Sequence, residues 1–374
     1  MIVVGIPSYN NVDTIKKVAE VAAEGLRRYF KGNGIIVNSD GGSKDGTREA
    51  FMSADTGGVK KESFEYKGIP GKGSAMRAIF EYAREHNADA IVFLDSDLRS
   101  VKPWWIDRLA GPIISGDSDY VTPYYTRHKY DGTITNHICY PMTSTLYGKK
   151  VRQPIGGDFG VGKKAYELYL SKPGSIWSTN VARFGIDIWM TTTVIANGLR
   201  VVQAALGAKI HDVKDPGKHL SPMFIQVVST LFSLMIEYEN VWKIVERIDD
   251  VPIIGESPDV RPEELKVDLD NLKEKAKSVK YLEFLDGKII NLVKKYGEID
   301  SNSWVEVVYS FAVAFRDGKA NVEDMIPLYF ARVASFVKET ENMSTEEAEK
   351  VIEKQLEDFM RRKVDLIKRW ENDS

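Results

Sequence analysis

Five apolar residues, Ala90-Ile91-Val92-Phe93-Leu94, run without a break into Asp95-Ser96-Asp97. A continuous apolar run of this length reads as a strand buried on both faces of a parallel sheet. Open α/β sheets bind their ligands beyond the carboxyl ends of the strands, and that is where these two acids emerge. Carboxylates at i and i+2 of an extended segment share a face, so both can reach a hard divalent cation or its waters. The same triplet also occurs in ordinary acidic loops, so its surroundings must decide between the two readings.

Those surroundings alternate. Ile2 to Ile6 form a strand that Pro7 should break, and Val18, Val21, Ala22, Leu26 and Tyr29 then recur at helical spacing. Ile35-Ile36-Val37 gives the next strand, and Ala75, Met76, Ile79, Tyr82 and Ala83 mark a helix leading back to the Ile91 strand. This β-α-β rhythm predicts an α/β fold, a doubly wound and mostly parallel Rossmann-like sheet, over residues 1–220. From Ser221 the pattern becomes helical, with an acidic linker punctuated by Pro252, Pro258 and Pro262. Ser344 with Glu347 three residues on is a capping box that opens the last helix. Residues 221–374 therefore read as an all-α second domain whose apolar stripes supply its core or a homodimer contact.

Acidic and basic residues nearly balance, at a net charge of −3, so no basic excess points to nucleic acid or an anionic membrane. One cysteine, Cys139, leaves no internal disulfide and fits a reducing compartment. The chain starts directly with strand residues and its longest uncharged apolar stretch, Phe224 to Ile236, is too short to span a bilayer. A soluble cytoplasmic protein is the expectation.

Three loops flank the proposed acid pair. Pro7-Ser8-Tyr9-Asn10 follows the first strand and Asp40-Gly41-Gly42-Ser43 the second. Backbone groups there and the Asp40 carboxylate can bond a base edge or a ribose; equally, both are ordinary Gly-rich turns, with Asp45 as a helix cap. Pro70-Gly71-Lys72-Gly73 precedes a helix, where glycine permits close approach, the helix N-terminus favours an anion and Lys72 adds a compact charge. It lacks the spacing of a Walker A loop.

These segments, with Asp95-Ser96-Asp97, Gln153-Pro154-Ile155-Gly156-Gly157-Asp158 and Phe184-Gly185-Ile186-Asp187, occur in an order that resembles a GT-A glycosyltransferase. The order most resembles that of the retaining enzymes that make mannosylglycerate, glucosylglycerate and glucosyl-3-phosphoglycerate. The resemblance covers residues 1–220. It implies a nucleotide-sugar donor (UDP- or GDP-hexose) with Pro7, Ser8, Tyr9 and Asp40 around the nucleoside, and Lys72 at the diphosphate. It implies that Asp97 ligates Mn²⁺ or Mg²⁺ directly, that Asp95 meets the ribose or the metal's waters beside Ser96, and that His211 completes the metal site. A histidine after an apolar strand can also be structural. Gly156, Gly157, Asp158 and Asp187 are implied as donor-sugar binders, so Lys72, Asp158 and Asp187 become the catalytic candidates. The related enzymes usually carry Glu where this chain has Asp158, which leaves the hexose open. Asp187 also has the position of a helix cap.

Arg127 to Thr135 combine three potentially cationic residues with hydroxyls, suited to a carboxylate or phosphate; the plain alternative is a solvated basic loop. The resemblance implies glycerate-type binding by Arg127, Asp131 and Thr135, with Asn136 a further candidate. A mobile lid over Asp212 to His219 is a further expectation. The reading that follows is metal-dependent hexosyl transfer, with retention, to glycerate or 3-phosphoglycerate. Its rivals are a nucleotidyltransferase, whose Gly-rich basic loop after the first strand is missing here, and a non-catalytic sugar-nucleotide binder.

Overall fold

The computed structural model describes residues 1–210, 216–258 and 262–372. Among them, eight strands form one sheet: β1 (Ile2–Ser8), β2 (Gly34–Asp40), β3 (Lys60–Glu65), β4 (Ala90–Phe93), β5 (Tyr120–Thr126), β6 (Phe159–Gly162), β7 (Val201–Ala208) and β8 (Ile253–Ile254). Their spatial order is β8-β7-β5-β6-β4-β1-β2-β3. All neighbours run parallel except β6, which is antiparallel to both β4 and β5.

Side-chain alternation divides the sheet's two faces. Ile2, Val4, Ile6, Val92 and Leu94 join the buried cluster built with helices Ile15–Phe30 and Pro103–Ile114. Phe93 points the other way, meeting Phe80 of helix Lys72–Glu85 edge-on at 5.4 Å. Asp95 continues the parity of Phe93, so β4 delivers its first carboxylate to the side where Lys72 begins its helix.

Pro7 does not end β1. The strand continues to Ser8 because pairing with β4 stops at Gly5, while pairing with β2 continues through Pro7↔Ser39 and Ser8↔Asp40. A proline without N–H is tolerated where only one neighbouring strand remains. The acidic linker likewise contains structure, since Ile253-Ile254 pairs parallel with Gln203-Ala204 of β7.

The chain divides into two compact units, 1–126 with 151–214 and 250–262, and 127–150 with 215–249 and 263–374. The second is helical. The capping box forms as expected, with Ser344 N bonded to Glu347 Oε2 at 2.8 Å and Glu347 N to Ser344 Oγ at 3.2 Å. The last expected helix is two, Thr345–Arg361 and Lys363–Asn372. Buried Lys363 donates to Thr145 O at 3.0 Å and Val245 O at 2.6 Å. No helix among the described residues is long and apolar enough to cross a membrane.

Candidate active site

The antiparallel β6 explains how residues 63 apart in sequence become neighbours. Register Phe93↔Phe159 sets Asp158, just before β6, beside the end of β4. Asp95 N accordingly donates to Asp158 Oδ1 at 2.8 Å. Asp158 is fully buried, and Tyr125 OH and Lys209 Nζ, the latter at 3.0 Å, both donate to its Oδ2. Burial pushes the Asp158 carboxyl above its ordinary range, against the pull of Lys209.

Two ammonium groups hold the acids together. Lys72 Nζ lies 3.0 Å from Asp95 Oδ1 and 3.4 Å from Asp187 Oδ1. Lys209 Nζ lies 2.7 Å from Asp95 Oδ2 and 2.8 Å from Gly156 O. Desolvation opposes the charge on Lys72, but Asp187 and Asp95 override it and raise its affinity for the proton. Burial likewise raises Asp187, with Lys72 acting against the rise. Asp187 does not serve as a helix cap. Its Oδ2 accepts from Gly157 N at 3.1 Å, linking helix Ile186–Ala196 to the Gly-Gly turn.

Glycine is required at that turn. Gly157 has φ +88°, and a Cβ there would lie 2.2 Å from Asp95 Oδ2. Gly73 is equally constrained, since a Cβ would come within 1.8 Å of Val181 O. The backbone is therefore pressed close on both flanks of Lys72.

The remaining donor candidates divide. Asp40 is fully buried and accepts from Ser8 Oγ, Gly42 N, Ser43 N and Ser43 Oγ at 2.7–2.9 Å, so its carboxylate holds its own turn. Ser96 Oγ donates to Asn11 Oδ1 at 2.7 Å and Ser96 O accepts from Thr14 Oγ1 at 2.7 Å, tying the acid loop to the loop after β1. Tyr9 stands out from that loop, 64 % exposed, near Gly41. Asp45 accepts from Thr47 N at 3.1 Å and Val12 N at 3.2 Å, bridging two loops rather than only capping one helix.

Asp97 is 7 % exposed. Two residues on, Arg99 N donates to Ile210 O at 2.9 Å and Ile210 N donates to Ser100 Oγ at 2.9 Å. The chain beyond β7 is thus fastened to the chain beyond Asp97. His211, and the Asp212 to His219 lid, lie outside the residues whose side chains are described. Among the described residues, no three His, Cys, Asp or Glu side chains form a ready metal cluster.

The acceptor candidates form a turn in the helical unit. Arg127 Nη1 pairs with Asp131 Oδ2 at 3.1 Å, and Asn136 Nδ2 donates to Asp131 O at 3.1 Å. Thr135 opens a buried π-helical turn, Thr135–Cys139. Lys129 is turned elsewhere: its Nζ caps the helix Ile326–Thr340 by donating to Thr340 O at 2.6 Å and Met343 O at 2.7 Å.

Lys209 is the site residue that sequence reasoning missed. It follows directly on the buried strand β7 (Val201–Ala208), and its place at a strand's carboxyl end was the available signal.

The family model for the GT domain of mannosylglycerate synthase matches residues 52–233. Glucosyl-3-phosphoglycerate synthase of Mycolicibacterium paratuberculosis is 25% identical over 217 residues, 53% of this chain and 62% of that protein. The chain thus spans about three-fifths of that relative's length. The Mycolicibacterium smegmatis protein of the same name is 25% identical over 247 residues, 61% of this chain and 75% of that protein. A crystal structure of the Mycobacterium tuberculosis glucosyl-3-phosphoglycerate synthase with Mn²⁺, UDP and glucosyl-3-phosphoglycerate superposes with TM-score 0.51 at 25% identity. That alignment covers 63% of this chain and 79% of that one.

Sheet order, acid-bearing strand ends and these matches define the class, a GT-A glycosyltransferase fold followed by helices. Within that class, the chain resembles the mannosylglycerate synthase and glucosyl-3-phosphoglycerate synthase group.

Proposed function

We propose that this chain transfers a hexose from a nucleoside-diphosphate sugar to the hydroxyl of 3-phosphoglycerate or glycerate, with retention at the anomeric carbon. The observation that carries the reading is the lattice of Lys72, Lys209, Asp95, Asp158 and Asp187 at the carboxyl end of the sheet. Its relatives bear the name glucosyl-3-phosphoglycerate synthase, which favours glucose and 3-phosphoglycerate. The donor is a UDP- or GDP-hexose.

The residues fit a hard divalent cation, because Asp97 and Asp95 offer oxygen donors from one strand end, and Asp97 sits nearly buried there. Asp97 would hold Mn²⁺ or Mg²⁺ with His211, and Asp95, whose two oxygens already meet Lys72 and Lys209, would approach the ion through water or meet the ribose. When bound, the ion neutralises charge on the departing diphosphate. Lys72 adds positive charge at the same place without reorganisation, because Asp95 and Asp187 already fix its ammonium. Asp187 accepts hydrogen bonds from sugar hydroxyls and holds the ring against the Gly156-Gly157 backbone. Asp158, expected beside it as a sugar binder, is instead fully buried and bonded by Asp95 N, Tyr125 and Lys209, and so positions those groups. Arg127 grips the acceptor's carboxylate or phosphate, and Asp131, Thr135 and Asn136 orient its hydroxyl.

A matrix of UDP- and GDP-hexoses against glycerate and 3-phosphoglycerate, with Mn²⁺ or Mg²⁺, tests this. The expected result is nucleoside diphosphate release and an α-linked product from an α-linked donor. Pyrophosphate release, or no turnover with any pair, overturns it.

A further inference from the structure

Lengthening a helical turn by one residue disturbs its regular hydrogen bonds, and such π-turns gather at functional sites. The turn Thr135–Cys139 is buried throughout and follows directly on the Arg127–Asp131 pair. Two of its carbonyls are held by side chains from far along the chain. Gln355 Nε2 donates to Asn136 O at 3.1 Å, and Trp304 Nε1 donates to His137 O at 2.7 Å.

We propose that Gln355, on helix Thr345–Arg361, is a positioning residue for the acceptor-binding turn, a reading that rests on the acceptor role assigned above to Arg127, Asp131, Thr135 and Asn136. Gln355 is 1 % exposed, and its amide stands only one way round. Arg332 Nε, always a donor, lies 2.8 Å from Oε1, so the NH₂ group must face Asn136 O. His137 Nδ1 lies 3.2 Å from the same Oε1 and therefore carries the proton of that bond. Arg332 is 1 % exposed and is gripped in turn by both oxygens of Glu339, at 3.0 and 3.2 Å.

Each link in this buried relay has a fixed partner, so it holds the Asn136 peptide in one orientation. Asn136 then closes the turn, through its N–H to Gly132 O at 2.9 Å and its side chain to Asp131 O. Gln355 itself is not placed against the acceptor; it fixes the backbone that carries the residues that are. Arg332 and Gln355 lie beyond residue 233, where the family match ends. The helical unit thereby gains a role in acceptor recognition that the shared GT domain does not supply.

The test compares Gln355→Glu and Gln355→Met in the full chain, by steady-state kinetics with UDP-glucose and 3-phosphoglycerate and by amide hydrogen exchange over residues 131–139. The Glu variant keeps an acceptor for Arg332 and His137 but cannot donate to Asn136 O; the Met variant loses both bonds. Both are expected to raise the acceptor KM about tenfold, with donor KM unchanged within about twofold, and to speed exchange in the turn about tenfold. Equal rises in both KM values, or an unchanged acceptor KM, overturn the positioning role. Should the Met variant not fold, the Glu variant decides alone. If the parent chain turns over no donor with either 3-phosphoglycerate or glycerate, the functional reading falls; unchanged exchange in the variants separately overturns the bracing.

Discussion

Replacing Lys209 with methionine keeps the length of the side chain and deletes one ammonium from a buried lattice. In the intact site, three carboxylates (Asp95, Asp158, Asp187) face two ammonium groups (Lys72, Lys209), a net charge of −1 before any ligand binds. The variant leaves −2. The Lys209 side chain is 6% exposed and that of Asp158 0%, so water cannot replace the lost partner. Breaking one side of a buried pair costs roughly 3–5 kcal/mol, which for a domain of this size lowers Tm by roughly 6–20 °C. A second substitution sharpens the test. Asp158→Asn in the Lys209→Met background removes the uncompensated charge, so the double variant should recover about 1–3 kcal/mol relative to Lys209→Met. Denaturant unfolding of the four proteins of this cycle measures both figures. A single-variant loss below about 1 kcal/mol, the scale of a solvated surface pair, would refute the reasoning, as would strictly additive effects.

Asp97→Ala should raise the barrier by about 3 kcal/mol or more, a loss in kcat of at least ~10²-fold at saturating donor; near-normal turnover removes Asp97 from the mechanism. Arg127→Ala should raise the acceptor KM at least about tenfold while leaving the donor KM nearly unchanged, and equal effects on both refute its placement. Gly157→Ala should destabilise the fold on the order of 2 kcal/mol or more, because its φ of +88° and the contact with Asp95 must both relax; an unchanged Tm refutes the strain. Burial of Glu306 raises its pKa, but Arg369, Ser310 and Arg362 override this and bring it down to about 2. Screened by solvent at this half-buried position, its contribution of about 1–2 kcal/mol is present above pH 4.5 and lost as pH falls toward 2, and Glu306→Gln should flatten the acid limb of stability in that window.

The sheet was legible wherever a strand is buried on both sides, because an uninterrupted apolar run such as Ala90 to Leu94 has few other uses. What escaped was short or glycine-rich. Phe159-Gly160-Val161-Gly162 has neither alternation nor length, yet as β6 it is the antiparallel insertion that carries Asp158 to Asp95. Ile253-Ile254 is two residues in a proline-marked stretch, and its pairing with β7 is settled by the partner strand rather than by its own sequence. The break at Arg362 was equally silent, since Val364 and Ile367 keep enough apolar spacing to extend the preceding helix on paper.

The site shows the same division between local and long-range causes. Asp95 and Lys72 could be singled out because each stands at a strand end or helix start, where chain direction says which way function lies, whereas Asp187 was reached only through the family resemblance. Asp40 carries the same local signature, but three donors from its own turn and the Ser8 hydroxyl of β1 consume it, so a Gly-rich acid turn specifies a shape before it specifies a ligand. Lysines are the hardest residues to read, because a long flexible cation takes its meaning from whatever lies within reach. Lys129 sits among acceptor candidates in sequence and caps a helix more than 200 residues away; Lys209 sits in an unremarked strand end and joins Asp95 to Asp158. What separates them is burial beside acids that only the folded sheet assembles. A buried ammonium between two carboxylates is costly to desolvate and is retained only where its partners are fixed. That makes Lys209, rather than the acid triplet alone, the residue whose removal most directly tests whether this strand end is built as one electrostatic unit.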